Sequence, residues 1–221
     1  MGIAVKICGL TSADAADAVA HAAVDYAGLN FHPRSPRCVP LDAAAALANR
    51  LRGRVRVVAL VPDAGDEQLA AIVRAVRPDF IQLHGAESVD RTAAIRSRFE
   101  LPVIKAISIA EASDFDAVPR YEAVADMLLF DAKPSADATR TGGNGVAFDW
   151  QLMRNRNFTR PWLLAGGLNA ENVARAVHIS GAPGVDTSSG VETAPGIKDV
   201  ELIKSFAAAA RNAQYATEQQ T

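Results

Sequence analysis

The chain has 221 residues, of which 49% are hydrophobic and 22% charged, and its formal net charge is −2. This balance argues against a nucleic-acid partner, and no apolar stretch approaches the ~18 residues that a membrane span needs, which argues against a membrane partner. Because two cysteines, Cys8 and Cys38, are too few for a disulfide framework, we expect a cytoplasmic protein.

Short β-branched runs alternate with alanine-rich segments of helical spacing along the chain. Strands are predicted at residues 3–8, 26–31, 55–61, 79–84, 102–108, 127–131, 162–167 and 184–189. Helices are predicted at 13–23, 42–52, 66–76, 88–98, 170–179 and 199–213, and the fifth and sixth connections are less clear helices.

Eight strands that alternate with helices, without a long linker, predict an α/β fold with one domain over residues 1–221. We expect this domain to be a single (β/α)8 TIM barrel, with a frayed polar tail from about residue 212. A doubly wound open sheet is the alternative, because periodicity alone does not exclude it.

Chemically capable side chains follow the carboxyl ends of the predicted strands, which in a barrel form the face that carries active sites. Gln82 and His84 end the fourth strand, and we expect both at the substrate-binding pocket. The alternative for His84 is that it orients another side chain of the site and does not contact the substrate itself. The chain has no spacing typical of a metal site, a dinucleotide loop or a nucleophilic serine, so we expect no metal and no cofactor.

Two loops are suited to phosphate binding. Gly166 and Gly167 separate the seventh strand from a helix predicted to start at Asn169, so bare backbone N–H groups can face an anion there. Their alternative role is a tight turn. The eighth strand is followed by two hydroxyls and a further glycine, at the position where barrels often hold phosphate: Ser188, Ser189 and Gly190.

A third glycine cluster, which contains Gly143 and Gly145, comes about ten residues after the sixth strand. We interpret it as a mobile loop that closes over a ligand. A flexible connector fits the same spacing equally well.

Cys8 and Asp131 are the candidate reactive pair, since they end the first and sixth strands on different sides of the barrel mouth. One group could donate a proton while the other accepts one. We expect the helix after Cys8 to favour its thiolate. We expect burial to favour a protonated Asp131, whereas Lys133, if it pointed inward, would favour the ionised carboxylate. The alternatives are a buried thiol that only fills the core and an aspartate that caps a helix or forms an ion pair.

Several motifs resemble, in order, those of the phosphoribosylanthranilate isomerase family. They are KICGL, FHPRSPR, QLHG, LFD, GGNGVAFDW, AGGLNAENV and VDTSSGVE followed by PGIKD, and they span residues 3 to about 210. The resemblance implies a phosphosugar substrate and a cofactor-free Amadori rearrangement in tryptophan biosynthesis. The reaction would convert N-(5-phosphoribosyl)anthranilate into 1-(2-carboxyphenylamino)-1-deoxyribulose 5-phosphate.

The resemblance also implies roles for individual residues. Asp131 would protonate the furanose ring oxygen, Cys8 would remove the C2 proton, and Arg37 would hold the anthranilate carboxylate. The phosphate would bind at the two loops named above, with Gly143 to Gly145 closing nearby. The alternatives are a related histidine-pathway isomerase, which has aspartate in place of Cys8, a bifunctional enzyme, or a non-catalytic phosphosugar-binding barrel. We expect a monomer or a homodimer.

Overall fold

The computed structural model describes residues 2–133 and 148–218 of the chain. Eight parallel strands, hydrogen-bonded in chain order, close into a barrel, so the predicted TIM barrel is confirmed and the open-sheet alternative is wrong. The strands are β1 Ala4–Cys8, β2 Tyr26–Asn30, β3 Arg56–Val61, β4 Phe80–Leu83, β5 Val103–Ile109, β6 Met127–Ala132, β7 Trp162–Leu164 and β8 Gly184–Thr187.

Seven α-helices are described around the barrel. They are α1 Ala13–His21, α2 Leu41–Leu51, α3 Asp66–Val76, α4 Val89–Phe99, α5 Val118–Glu122, α6 Val173–Ser180 and α7 Val200–Glu218. The fifth connection, where the sequence predicts no clear helix, holds only the short α5 after a 3-10 helix at Ala112–Ala117. No described helix is long and apolar enough to cross a membrane.

The apolar core has two layers because side chains alternate between the two faces of each strand. The inner layer fills the barrel with residues such as Val58, Ile104 and Leu129. The outer layer, which includes Val5 and Ile7, lies between the strands and the helices. Positions at the upper end of the inner face remain for polar side chains, and these build the site.

Three details differ from the predicted elements. The helix α6 begins at Val173 and not at residue 170. The helix α7 continues to Glu218, whereas the sequence predicts that it ends at residue 213. A short hairpin that the sequence does not predict, β9 Glu192–Ala194 and β10 Ile197–Lys198, follows β8 and turns at Gly196, whose φ is +86°.

Candidate active site

Cys8 ends β1 at the mouth of the barrel. Its side chain is buried, and its Cα pairs with that of Gly28 on β2. A Cβ on Gly28 would lie 2.8 Å from Cys8 Sγ, so glycine is needed to leave room for the thiol. The backbone then turns at Gly9, whose φ of +79° lies in the left-handed region. These two glycines fix the thiol at the rim.

A buried ion pair lies on the same inner face, below Cys8. Lys6 precedes Cys8 by two residues and is fully buried, and its Nζ donates to Asp186 Oδ1 at 2.9 Å. The Cα atoms of Lys6 and Asp186 are paired between β1 and β8. Sequence reasoning misses both residues. A sequence signal for them exists: Lys6 lies two residues before Cys8, and Asp186 two residues before Ser188, so each charge is on the same strand face as a candidate site residue.

Burial, and not a neighbouring helix, has the largest effect on the thiol. It raises the pKa of Cys8 above its ordinary value, while the positive charges of Lys6 and Lys198 offset part of the rise and Asp186 adds to it. Burial therefore disfavours the thiolate, in the direction opposite to the effect expected of the helix after Cys8.

The reason is the position of the helix. The first turn of α1 is five residues beyond Cys8, and Ser12 Oγ accepts from the backbone N–H of Ala15 at 3.3 Å. This N–H is directed to the cap and does not point at the thiol.

Asp131 lies on β6, where two contacts fix its carboxyl group. Its Oδ1 accepts from the Ala132 N–H at 2.8 Å, and its Oδ2 is 3.3 Å from His84 Nε2. The Gln82 amide Nε2 donates to His84 Nδ1 at 2.8 Å, which places the ring proton of a neutral His84 on Nε2, towards Asp131.

His84 and Gln82 have different positions in the site. His84 is among the described residues that line the pocket, whereas Gln82 is fully buried and contacts the pocket through His84. The structure therefore gives Gln82 a contact with His84 in place of the predicted position at the pocket surface.

Arg37 belongs to a buried chain of charges. Its Nε and Nη2 donate to Glu192 Oε1 and Oε2 at 2.7 and 2.8 Å. Lys198 Nζ donates to the same Oε1 at 2.7 Å and to Ser188 Oγ at 3.1 Å. Burial alone would raise the pKa of Glu192, but the Arg37 hydrogen bonds and the Lys198 charge outweigh it and hold that pKa below its ordinary value. Sequence reasoning misses Glu192 and Lys198. The only sequence signal for a role of these residues is that they belong to the motifs VDTSSGVE and PGIKD.

The two loops predicted to bind phosphate pack directly on each other. A Cβ on Gly190 would collide with the carbonyl oxygen of Leu168, and the same oxygen accepts from Thr187 Oγ1 at 2.6 Å. Gly166 and Gly167 have φ values of +90° and +62°, so both use the left-handed region. The loop after β7 is thus held against the loop after β8.

Asn169 caps the turn that leads into α6, although the regular helix begins later than expected, at Val173. Asn169 Oδ1 accepts from Glu171 N at 2.9 Å and from Asn172 N at 3.0 Å, and α6 follows from Val173. In the other loop, Ser188 Oγ donates to the Cys8 carbonyl at 2.9 Å, and Ser189 begins a 3-10 turn at Ser189–Val191. Gly143 and Gly145 lie outside the described residues.

The strand ends converge on one pocket at the barrel mouth. It brings together the thiol of Cys8, the carboxyl of Asp131 and the guanidinium of Arg37. An acid, a base and an anion-binding group can thus contact one small molecule. The described lining residues are Cys8, Asn30, His32, Ser35, Arg37, Leu60, Pro62, His84, Asp131, Asp186 and Ser188.

The family model and the most similar relatives point to one family. A family model described as N-(5'-phosphoribosyl)anthranilate (PRA) isomerase matches residues 5–209. The N-(5'-phosphoribosyl)anthranilate isomerase of Rhodopseudomonas palustris strain BisA53 is 55% identical over 211 residues, which are 96% of this chain and 97% of that relative.

Two solved structures extend the comparison. Monomers generated from the dimeric phosphoribosylanthranilate isomerase of Thermotoga maritima superpose with a TM-score of 0.81 at 31% identity, covering 95% of this chain and 99% of that chain. A phosphoribosylanthranilate isomerase in complex with reduced 1-(o-carboxyphenylamino)-1-deoxyribulose 5-phosphate has a TM-score of 0.81 at 30% identity, with 95% and 99% covered.

Proposed function

The chain belongs to the N-(5'-phosphoribosyl)anthranilate isomerase family and is an isomerase of tryptophan biosynthesis, and from that premise we propose that Cys8 and Asp131 catalyse its reaction as base and acid without a cofactor. The observation that carries the proposal is the shared pocket, in which both groups lie with Arg37. The substrate is N-(5-phosphoribosyl)anthranilate, and the reaction moves its carbonyl function from C1 to C2.

Asp131 acts first, as the general acid. It gives its proton to the furanose ring oxygen, the bond from C1 to that oxygen breaks, and the nitrogen lone pair forms an iminium at C1. The contacts of Asp131 with the Ala132 N–H and with His84 Nε2 support this role. Both donors stabilise the carboxylate that remains when the proton has left.

Cys8 acts second, as the general base. Its thiolate removes the C2 proton, and the electrons of the broken C–H bond form the C1–C2 double bond. At the same time the π electrons of the C1=N bond of the iminium return to nitrogen. The resulting enolamine tautomerises to the C2 ketone, so C1 is reduced and C2 oxidised within one molecule. The cationic iminium is the electron sink that acidifies C2 sufficiently for a thiolate.

Arg37 and the packed loops bind the two anionic ends of the substrate. Of the contacts described, Nε and Nη2 of Arg37 serve Glu192, which leaves the Nη1 hydrogens for the anthranilate carboxylate. The phosphate is assigned to the backbone at five positions after β7 and β8: Gly166, Gly167, Ser188, Ser189 and Gly190.

We further propose that the protein is a cytoplasmic monomer or homodimer. A thiol base must stay reduced, which suits the cytoplasm. Among the described residues, the exposed large apolar side chains are Leu41, Ile197 and Leu202, a small set that favours a small assembly. Light scattering after size-exclusion chromatography tests this, and a trimer or larger species would contradict it.

The mechanism is tested by steady-state turnover of N-(5-phosphoribosyl)anthranilate. We expect Cys8→Ser and Asp131→Asn each to lower kcat by about two orders of magnitude or more, because each removes a positioned proton-transfer group. Cys38→Ser is the matched control and should keep normal turnover, since Cys38 is not among the described lining residues. Near-normal kcat in either test variant would remove that residue from its role.

A further inference from the structure

We propose that Lys6 is a positioning residue for Cys8, and that its ammonium, shared with Asp186, makes the buried thiol available as a thiolate. The inference rests on the proposed role of Cys8 as base and extends it to two residues that the mechanism above does not use. It begins from the location of Lys6, which is fully buried inside the barrel. A lysine is rarely placed there, because desolvation of its charge is costly unless an anion compensates.

The register of the barrel places the ammonium close to the thiol. Lys6 and Cys8 point to the same side of β1, and successive inward positions are about 6.6 Å apart along a strand. A lysine side chain is about as long as this separation, so Nζ can reach the level of the thiol while it donates to Asp186 Oδ1 at 2.9 Å. From this position the positive charge of Lys6 lowers the pKa of the Cys8 thiol and offsets part of the effect of burial.

Other charges near the thiol are already committed to partners. Lys198 Nζ donates to the Ser188 carbonyl at 2.8 Å, to the Ser188 hydroxyl and to Glu192 Oε1. Arg37 is paired with Glu192 through two hydrogen bonds. The titratable groups that line the rest of the pocket are His32, His84 and Asp131.

A shared ammonium suits the proton-transfer cycle. While Cys8 is a thiolate, Lys6 compensates that charge together with the charge of Asp186. When the thiolate takes the C2 proton, the ammonium pairs with Asp186 alone, so Lys6 keeps an anionic partner in both states. Burial raises the pKa of the Cys8 thiol; the charge of Lys6 lowers this pKa and the charge of Asp186 raises it further.

The test is a pH titration of the Cys8 thiolate by its ultraviolet absorbance, without substrate, in a Cys38→Ser background that leaves one thiol. Lys6→Met should raise the midpoint by about one pH unit or more, because it removes the compensating cation. Asp186→Asn should lower it, because Lys6 then compensates Cys8 alone. A purely structural role for the pair would not move the midpoint in opposite directions.

Lys105→Met is the matched control. It also removes a buried lysine that is paired with a carboxylate, Glu87 at 2.7 Å, but neither of these residues is among the described lining residues. Its midpoint should equal that of the Cys38→Ser parent. The inference is overturned if Lys6→Met leaves the midpoint unchanged or lowers it. If Lys6→Met does not fold, an unchanged or raised midpoint in Asp186→Asn overturns it.

A second readout separates this inference from the mechanism on which it rests. If Cys8 is the base, the acidic limb of the pH profile of kcat/KM should move with the thiolate midpoint in each variant. A midpoint that moves without the limb would support the Lys6 inference and remove Cys8 from the role of base.

Discussion

Three lysines are buried in the described structure, and each has a carboxylate oxygen within 2.7 to 2.9 Å. They are Lys6 with Asp186, Lys105 with Glu87 and Lys198 with Glu192. Buried pairs contribute little net stability, because desolvation offsets their attraction, but they fix geometry. Two of the three pairs border the candidate active site, where they orient a thiol and a guanidinium.

Glu192→Gln tests the orientation of Arg37. The amide cannot offer two anionic oxygens, so the guanidinium loses its bidentate partner, and we expect KM for N-(5-phosphoribosyl)anthranilate to rise about tenfold or more. Because Arg37 is assigned to binding and not to proton transfer, kcat should stay within a few-fold of the wild-type value. Steady-state kinetics measure both constants.

The matched control is Glu201→Gln. In the wild type the Glu201 carboxylate pairs with Lys204 at 2.7 Å, but this pair is exposed. It should leave both constants unchanged, since exposed pairs contribute little. An unchanged KM in Glu192→Gln, or a loss confined to kcat, would contradict the binding role of Arg37.

At the scale of elements, the close approach of the loops after β7 and β8 depends on one missing side chain. In Gly190→Ala the new Cβ would meet the Leu168 carbonyl, so the two loops must separate. We expect a loss of about 1–3 kcal/mol in the free energy of unfolding and a KM about tenfold higher, because the phosphate then meets displaced N–H groups. Urea denaturation and steady-state kinetics measure the two effects.

Gly65→Ala is the control for that substitution. Gly65 has a φ of −74°, and a Cβ added there would meet no neighbouring atom within 4 Å, so alanine should fit without moving the backbone and should leave KM unchanged. Because Gly65 is the N-cap of α3, where alanine is less favourable than glycine, we expect a loss of stability of up to about 1 kcal/mol. If Gly190→Ala kept the wild-type KM while Gly65→Ala behaved as expected, phosphate binding at the packed loops would be disproved.

The elements also show why the sequence predicts the strands better than the contacts in the site. Strand alternation and the residues after each strand are local signals, and they place Cys8 and Asp131 correctly at the mouth. The partner of Lys6 is 180 residues away, and only closure of the barrel brings β1 beside β8.

At the scale of the whole molecule, a repeated contact ties neighbouring strands together at the amino-terminal ends of the barrel. An aspartate just before an even-numbered strand accepts from a backbone N–H at the start of the preceding odd-numbered strand. The three cases are Asp25 with Val5 N at 2.8 Å, Asp79 with Val57 N at 2.6 Å and Asp126 with Val103 N at 2.9 Å. These contacts lie at the end opposite to the site, so they serve stability and not chemistry.

Asp126→Ala tests this stabilising role. Asp126 also accepts two hydrogen bonds from Arg96, at 2.8 and 2.7 Å, so its removal leaves the Val103 N–H and the guanidinium without their partner. We expect a loss of about 1–3 kcal/mol in the free energy of unfolding by urea at neutral pH, with unchanged kcat and KM. Asp116→Ala, at an exposed position, is the control and should change neither.

The pH dependence of that loss supplies an independent check. Burial alone would raise the pKa of Asp126, but Arg96 and the Val103 N–H outweigh it and hold this pKa below its ordinary value. A carboxyl group whose pKa is lowered by folding stabilises the protein above its unfolded pKa, and this contribution is lost as the pH falls through the folded pKa. The stability difference between wild type and Asp126→Ala should therefore be largest at neutral pH and shrink below about pH 4. A difference that stays constant or grows in acid would show that lost packing, and not the ionised carboxylate, accounts for the effect.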